Sequence, residues 1–73
     1  MSAEIGQRIR HWRRLKGLTI EQLSEAAELD PKYLGAVETG RRANPSYLVL
    51  RKIACGLGVD IAILLSVPGQ NEK

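Results

Sequence analysis

Apolar residues recur at three- and four-residue spacing along most of the chain, which is the period of an amphipathic helix. Five stretches show this pattern, and each is bordered by residues typical of helix ends. These predicted helices are residues 5–16 followed by Gly17, a short helix that begins at Thr19, a helix from Asp30 to Gly40, a helix from Ser46 to Gly58, and residues 61–65 after Asp60. No stretch alternates strictly as a half-buried β-strand does. The pattern predicts an all-α domain of five helices.

The apolar faces of these helices define the expected core. Its members are Ile5, Ile9, Trp12, Leu23, Ala27, Leu29, Leu34, Val37, Tyr47, Leu50, Ile53, Ala54 and Leu57. Arg13 falls at the edge of the first apolar stripe and Glu38 on the inner side of the third helix, where a charge needs a partner. Ser24 is small at a point where two helices cross closely. Cys55 is expected to be a small core residue, with a reactive thiol as the alternative.

Composition limits the classes of function. With 73 residues, 44% of them apolar, the chain has room for one small domain. A single cysteine excludes an internal disulfide, and no apolar run reaches the roughly 18 residues of a transmembrane helix. One histidine and one cysteine do not make a zinc site or a Cys–His nucleophile, and the scattered glycines form no phosphate-binding loop. We expect a soluble cytoplasmic domain that is not an enzyme, with no cofactor, metal or membrane partner.

Residues 19–39 contain two short helices joined by about three residues. Thr19 and Gln22 form a capping box at the start of the first, and Asp30 followed by Pro31 marks the start of the second. This arrangement is typical of a helix-turn-helix, whose second helix can lie in the major groove of DNA. The alternative is an αα-hairpin that only packs within the domain.

Several motifs together resemble the five-helix domain of phage repressors and Cro. The resemblance covers about residues 5–65, with the motifs in the same order as in that family. The motifs are Ile9-Arg10…Arg13…Lys16-Gly17-Leu18-Thr19, Leu23-Ser24-Glu25…Ala27, Tyr33-Leu34…Val37-Glu38…Gly40-Arg41-Arg42, Asn44-Pro45-Ser46 and Lys52-Ile53-Ala54…Leu57-Gly58-Val59. Leu29-Asp30…Tyr33-Leu34 and the short length are most similar to the controller proteins of restriction–modification systems.

The resemblance implies roles for individual residues. Arg13 and Glu38 occupy the positions of a structural ion pair that orients the second helix of the motif. The candidate DNA-binding residues lie at the start of the motif, on the outer face of its second helix and directly after it: Thr19, Lys32, Tyr33, Ala36, Thr39, Arg41, Arg42 and Asn44. The two adjacent arginines are expected to grip phosphates.

Base reading is expected from the outer face of the second helix of the motif. Lys32 can donate to guanine O6 or N7, and Ala36 and the methyl group of Thr39 can contact thymine methyl groups. Tyr33 can reach a phosphate or a base. The alternatives are that Lys32 is a solvated surface residue, that Tyr33 is a half-buried packing residue, and that Ala36 and Gly35 are only small enough to permit close approach.

Three residues depart from the family pattern. Ile20 stands where many members carry a glutamine that binds phosphate, and Pro31 has no donor with which to read a base. Glu28 stands where the turn usually has glycine, so a left-handed conformation there would cost about 1 kcal/mol. These departures put individual DNA contacts in doubt without changing the predicted fold.

Charge is unevenly distributed along the chain, whose net charge is +3. Residues 1–17 carry five basic and one acidic residue (+4), residues 18–40 one and five (−4), and residues 41–73 five and two (+3). An acidic motif between basic flanks suits a protein that docks on DNA through flanking phosphate contacts. It equally suits a domain that has lost DNA binding and contacts another protein.

Five consecutive apolar residues, 61–65, exceed what one small core can bury, because a helix spreads them around its whole circumference. Such exposed patches usually mark an association surface. The expected homodimer interface consists of Leu48, Val49, Ile61, Ile63 and Leu65. A two-fold pair would place two recognition helices about 34 Å apart, one turn of DNA. The alternative is a C-terminal strand or an exposed apolar end.

These observations predict a helix-turn-helix domain over residues 1–67, with residues 58–67 as its dimerisation end, and a flexible tail over residues 68–73. The predicted function is a homodimeric transcription regulator of a near-palindromic operator in double-stranded DNA, with a restriction–modification controller as its narrower form. Glu21 and Glu25 point outward and are candidate contacts for RNA polymerase. The alternative is that they only form a solvated helix face. The alternative functions are an antitoxin-type autoregulator and a protein-interaction adaptor that reuses the fold.

Overall fold

The computed structural model describes residues 2–42 and 44–65, which form five α-helices and no β-strand within these ranges. The helices are α1 Ser2–Leu15, α2 Ile20–Ala27, α3 Pro31–Thr39, α4 Tyr47–Leu57 and α5 Ile61–Leu65. The predicted all-α fold is therefore confirmed. The first helix begins at Ser2 rather than at residue 5, because the apolar stripe that located it starts only there. The expected tail, residues 68–73, and the last part of the expected dimerisation end, residues 66–67, lie outside the described residues.

Side-chain hydrogen bonds start α2 and α3 where the sequence predicts. Oγ1 of Thr19 accepts from the N–H of Gln22 at 3.0 Å, and Oε1 of Gln22 accepts from the N–H of Thr19 at 2.9 Å. At α3, Oδ2 of Asp30 accepts from the N–H groups of Lys32 and Tyr33 at 3.0 and 3.2 Å. These bonds satisfy N–H groups that the first turn of a helix leaves without a partner. Both helices of the motif therefore begin at a residue with local capping bonds, and those of Asp30 also fix the end of the turn that leads into α3.

Left-handed residues end the first four helices. Gly17, Gly40 and Gly58 have φ values of 74°, 88° and 75°, which glycine adopts without steric cost. Glu28 ends α2 with φ 59° and ψ 47°, and within the described ranges it is the only non-glycine residue with a positive φ. Its N–H donates to the carbonyl of Glu25 at 3.2 Å. Position 28 therefore has the left-handed conformation that glycine usually adopts in this turn, although this chain has a glutamate there.

Nine apolar side chains contributed by all five helices are buried in one core: Ile9, Leu23, Ala27, Leu34, Val37, Ile53, Ala54, Leu57 and Leu64. Two core expectations are wrong. Tyr47 is the first residue of α4 and is 62% exposed. Helical periodicity gives the direction of a side chain around the helix axis, but it does not say whether another helix lies in that direction. Cys55 is exposed, because it lies about 200° around the helix from buried Ile53.

Two glycines inside helices permit close contacts that the apolar pattern does not reveal. A Cβ atom on Gly6 of α1 would collide with the carbonyl oxygen of Val37 and would lie 2.6 Å from that of Glu38. A Cβ atom on Gly56 of α4 would lie 3.1 Å from the backbone nitrogen of Ala27. The backbone of α1 therefore approaches the end of α3, and α4 packs closely on α2. Ser24, also buried, is small as expected at this packed face of α2.

Candidate nucleic-acid interface

Arg13 of α1 and Glu38 of α3 form a bidentate ion pair. Nε of Arg13 donates to Oε2 of Glu38 at 2.8 Å, and Nη2 donates to Oε1 at 3.2 Å. Nη1 of Arg13 also donates to the carbonyl of Leu18 at 2.8 Å. The Glu38 side chain is 3% exposed and that of Arg13 is 13% exposed. Because the fork geometry fixes both planes, the pair ties the end of α3 to α1 and to the chain that leads into α2.

The outer face of α3 is short and only partly polar. Lys32 and Thr39 are exposed, whereas Tyr33 and Ala36 are half-buried. The hydroxyl of Thr39 donates to the carbonyl of Ala36 at 3.2 Å, so it is engaged with the helix backbone. Gly35 faces α2, because a Cβ atom there would lie 3.9 Å from Cδ1 of Ile20. The outer face of α3 thus offers one cationic side chain, that of Lys32. The small residues Gly35 and Ala36 would let a binding partner come close to the helix backbone.

The segment after α3 folds back over that helix. The N–H of Arg42 donates to the carbonyl of Ala36 at 3.1 Å, and its guanidinium carbon lies 5.8 Å from the centroid of the Tyr33 ring. Arg41, Arg42 and Asn44 are all exposed. Arg42 therefore lies against the surface of α3 near Tyr33, and Arg41 is the exposed residue directly before it in the chain.

The five residues expected at a dimer interface are not equally exposed. Leu48, Ile63 and Leu65 are 60%, 47% and 41% exposed, so these large apolar side chains are in contact with solvent. Val49 and Ile61 are half-buried and pack against the core of their own chain. The interface assignment stays a prediction, and it now rests mainly on the three exposed residues.

Residues 2–42 and 44–65 contain no group of three or more histidine, cysteine, aspartate or glutamate side chains that can hold a metal ion. In the same ranges, no helix has the length and apolar character needed to cross a bilayer.

The fold and this arrangement match known proteins. The profile of a helix-turn-helix family matches residues 9–64 of the chain. The chain belongs to the helix-turn-helix family. The HTH-type transcriptional regulator SinR of Bacillus subtilis (strain 168) is 35% identical to it over 68 residues, which are 93% of this chain and 61% of SinR. The chain therefore spans less than two thirds of that relative.

Two solved structures of this family are similar in fold and sequence. The restriction–modification controller protein C.AhdI from Aeromonas hydrophila has a TM-score of 0.81 at 39% identity, over 85% of this chain and 92% of C.AhdI. SinR, the master regulator for biofilm formation, in complex with DNA has a TM-score of 0.80 at 37% identity, over 85% of this chain and 98% of SinR in that structure. The resemblance to repressor-type and controller-type helix-turn-helix domains is thus confirmed.

The departures from the helix-turn-helix pattern have visible structural counterparts. Ile20 is half-buried and packs against the core, so this side chain joins α2 and α3 instead of offering a polar group to a phosphate. Thr19 is exposed, but its hydroxyl already accepts from the N–H of Gln22. Because a hydroxyl that accepts one hydrogen bond can still donate its own proton, the departure from the family pattern at the start of α2 is confined to Ile20.

Three features of this helix-turn-helix domain were missed from the sequence. The closely packed Gly6 and Gly56 carry no signal in an apolar pattern, because glycine is neither inward nor outward in such a pattern. Nη1 of Arg8 donates to the carbonyl of Leu65 at 2.6 Å, which joins α1 to the end of α5. A cation near a helix C-terminus is favourable, but the sequence does not say which cation reaches which helix.

Proposed function

We propose that this chain is a sequence-specific DNA-binding regulator of transcription and acts as a homodimer on a near-palindromic operator. The observation that carries the proposal is the outer face of α3, which is oriented by the buried Arg13–Glu38 pair and followed in the chain by exposed Arg41 and Arg42. The family and the similar DNA-bound SinR structure support the same function. In this proposal the domain binds and positions, and it catalyses no reaction.

Six of the predicted DNA-binding residues have a chemical role within this proposal. Lys32, exposed in the first turn of α3, donates to guanine O6 or N7. Ala36 and Thr39 offer methyl groups to thymine, in keeping with the Thr39 hydroxyl being bonded to the helix backbone. Arg41, Arg42 and Asn44 contact the sugar–phosphate backbone, which fixes the register of α3 on the duplex.

The proposed dimer rests on exposed apolar side chains of α4 and α5. Leu48, Ile63 and Leu65 leave apolar surface in water, and a second copy of the chain buries it through an isologous contact. Such a pair presents two α3 helices to adjacent major grooves about 34 Å apart. A two-fold protein then selects a two-fold operator.

The narrower form of this function is control of a restriction–modification system, by repression, activation or both. The similarity to C.AhdI supports it. Activation requires a contact with RNA polymerase, for which exposed Glu21 and Glu25 of α2 are the candidates.

A second function, a protein-interaction adaptor, is favoured by one specific group of observations. The motif itself is acidic, Ile20 packs inward where a phosphate contact is expected, and Pro31 has no N–H donor. Affinity for DNA would then be weak and would disappear as salt rises, because only non-specific phosphate contacts remain.

Selection from a random duplex library at physiological salt, followed by sequencing of the retained DNA, tests the proposal. We expect an enriched palindrome whose half-sites lie about one helical turn apart. Lys32→Ala is expected to relax the preference at one position of each half-site, whereas the matched change Arg51→Ala, on an exposed residue of α4, is expected to leave the sequence preference intact. Retention without enrichment, lost as salt rises, would instead favour the adaptor.

A further inference from the structure

Tyr33 and Arg42 are nine positions apart in the chain, yet they form one unit on the surface of α3. The guanidinium carbon of Arg42 lies 5.8 Å from the centroid of the Tyr33 ring, within the range of a cation–π contact. Tyr33 is half-buried and packs against the core, whereas Arg42 is exposed. The ring therefore has a fixed position, and the arginine is the partner that the contact restrains.

Both residues are also fixed through their backbones. The N–H of Tyr33 donates to Oδ2 of Asp30 at 3.2 Å, which places the ring in the first turn of α3. The N–H of Arg42 donates to the carbonyl of Ala36 at 3.1 Å, which returns the loop to the same helix. An arginine in an exposed loop usually samples many rotamers, and ordering them on binding costs affinity. Here the loop backbone and the aromatic ring already restrict Arg42 before any ligand arrives.

A cation–π contact with an aromatic ring does not use up the N–H donors of a guanidinium group. Its N–H donors point outward in the guanidinium plane and are suited to two oxygens of one phosphate. Arg41, the neighbouring exposed arginine, lies over no aromatic ring in the described part of the chain, which makes it a natural comparison.

We propose that Tyr33 is a positioning residue that acts on DNA through Arg42: its ring holds the guanidinium at the border of the α3 outer face, where the in-plane donors bind a backbone phosphate. This inference rests on the proposed DNA-binding function and assigns Tyr33 no direct contact with a base or a phosphate. The hydroxyl of Tyr33 is then dispensable, whereas its ring is not. The effect of losing the ring depends on the presence of Arg42.

A double-mutant cycle on the full chain, with the operator duplex as the ligand, tests this dependence. Tyr33→Phe keeps the ring and removes the hydroxyl, and we expect its Kd to remain within about twofold of wild type. Tyr33→Leu keeps apolar packing against the core and removes the ring, and we expect Kd to rise about two- to fivefold, the equivalent of an exposed cation–π contact. In an Arg42→Ala background, Tyr33→Leu is expected to cause no further loss.

The matched control uses Arg41. In an Arg41→Ala background, Tyr33→Leu is expected to weaken binding as much as it does in wild type. Arg42→Ala is also expected to weaken all sequences uniformly and to reduce the slope of log K against log salt by about 0.9, as the loss of one phosphate contact does. A loss confined to one base pair would overturn the phosphate assignment and make Arg42 a reader of guanine.

A measurement on the free protein separates this inference from the proposed function. Because the guanidinium carbon of Arg42 lies 5.8 Å from the centroid of the Tyr33 ring, we expect the NMR signals of the Arg42 side-chain protons to carry a ring-current shift that is lost in Tyr33→Leu. Additive effects of Tyr33→Leu and Arg42→Ala in a chain that binds DNA would overturn only the positioning role, as would a Tyr33→Phe variant as weak as Tyr33→Leu. A wild-type chain that selects no DNA, despite the shifted protons, would overturn the proposed function and this inference with it.

Discussion

The ends of α3 and α5 are both joined to α1 by an arginine, but the two joints differ in strength. At the end of α3, Arg13 meets the carboxylate of Glu38 through two hydrogen bonds in a buried position. At the end of α5, Arg8 donates to the carbonyl of Leu65 at 2.6 Å in an exposed position. A bidentate pair between two charged groups shielded from solvent restrains orientation more strongly than an exposed bond to a carbonyl.

Apolar burial differs between the two ends in the same direction. In α3, Leu34 and Val37 are completely buried, so the helix has both a core face and an ionic joint. In α5, Leu64 is buried while Ile63 and Leu65 are exposed. The orientation of α3 is therefore set within one chain before any ligand binds. The surface of α5 is completed, under the proposed function, by a second copy.

The largest effect is expected from breaking the joint at α3. Glu38→Ala removes the partner of a largely buried guanidinium, and we expect the free energy of unfolding to fall by about 3 kcal/mol. For a domain of this size, that corresponds to a loss of roughly 12 °C or more in Tm. Thermal unfolding followed by circular dichroism measures the effect. The matched variant Glu25→Ala, on an exposed residue of α2, is expected to change the free energy of unfolding by less than about 0.5 kcal/mol.

If Glu38→Ala unfolded at the same temperature as wild type, α3 would be held by apolar packing alone. In that case the two ends would differ in burial but not in ionic restraint. DNA affinity of Glu38→Ala measured well below its Tm then reports whether the orientation of α3 matters for binding beyond stability.

The contrast between the two ends was partly accessible from sequence. Helix starts at Thr19 and Asp30 follow from local hydrogen-bonding chemistry, which acts over two or three residues and is therefore visible in the chain. The proximity of Arg13 and Glu38 followed from two positions facing one core, together with the family resemblance. Distances between helices are a different matter, because periodicity gives a direction around an axis and not the neighbour in that direction.

That limit explains which features of the fold and of the candidate site were missed. The exposure of Tyr47, the close approach at Gly6 and the bond from Arg8 to Leu65 all depend on which helix lies opposite. The contact of Arg42 with Tyr33 depends on the path of a loop, for which the chain has no periodic signal.

Self-association tests the proposal that a second copy of the chain covers the exposed apolar side chains of α4 and α5. Leu48→Glu places a charge on a side chain that is 60% exposed, and in a two-fold interface the same charge appears twice. We expect the dimer dissociation constant to rise at least tenfold, or about 1.4 kcal/mol, in sedimentation equilibrium. Leu15→Glu is the matched control, since Leu15 is 63% exposed on the outer face of α1. Equal weakening by both variants, or by neither, would place the dimer interface elsewhere.

The smallest expected change in stability comes from the turn between α2 and α3. It shows how much backbone strain is present next to the firmly held helix α3. Glu28 has a φ of 59°, a conformation that costs a side-chain-bearing residue roughly 1 kcal/mol relative to glycine. Glu28 is exposed, so burial of its side chain does not offset this cost. Glu28→Gly is therefore expected to raise the free energy of unfolding by up to about 1 kcal/mol. Chemical denaturation measures it as a higher midpoint with an unchanged slope.

Gly17 supplies the reciprocal test, because it ends α1 with a φ of 74° and no neighbouring atom lies within 4 Å of the point where a Cβ would stand. Gly17→Ala therefore adds only the backbone cost, and we expect a loss of about 1 kcal/mol. Opposite signs for the two variants would locate the cost in the left-handed backbone itself. A destabilised Glu28→Gly would instead mean that the Glu28 side chain contributes more to the turn than its conformation costs, so that the turn before α3 would be stabilised by this residue rather than strained by it.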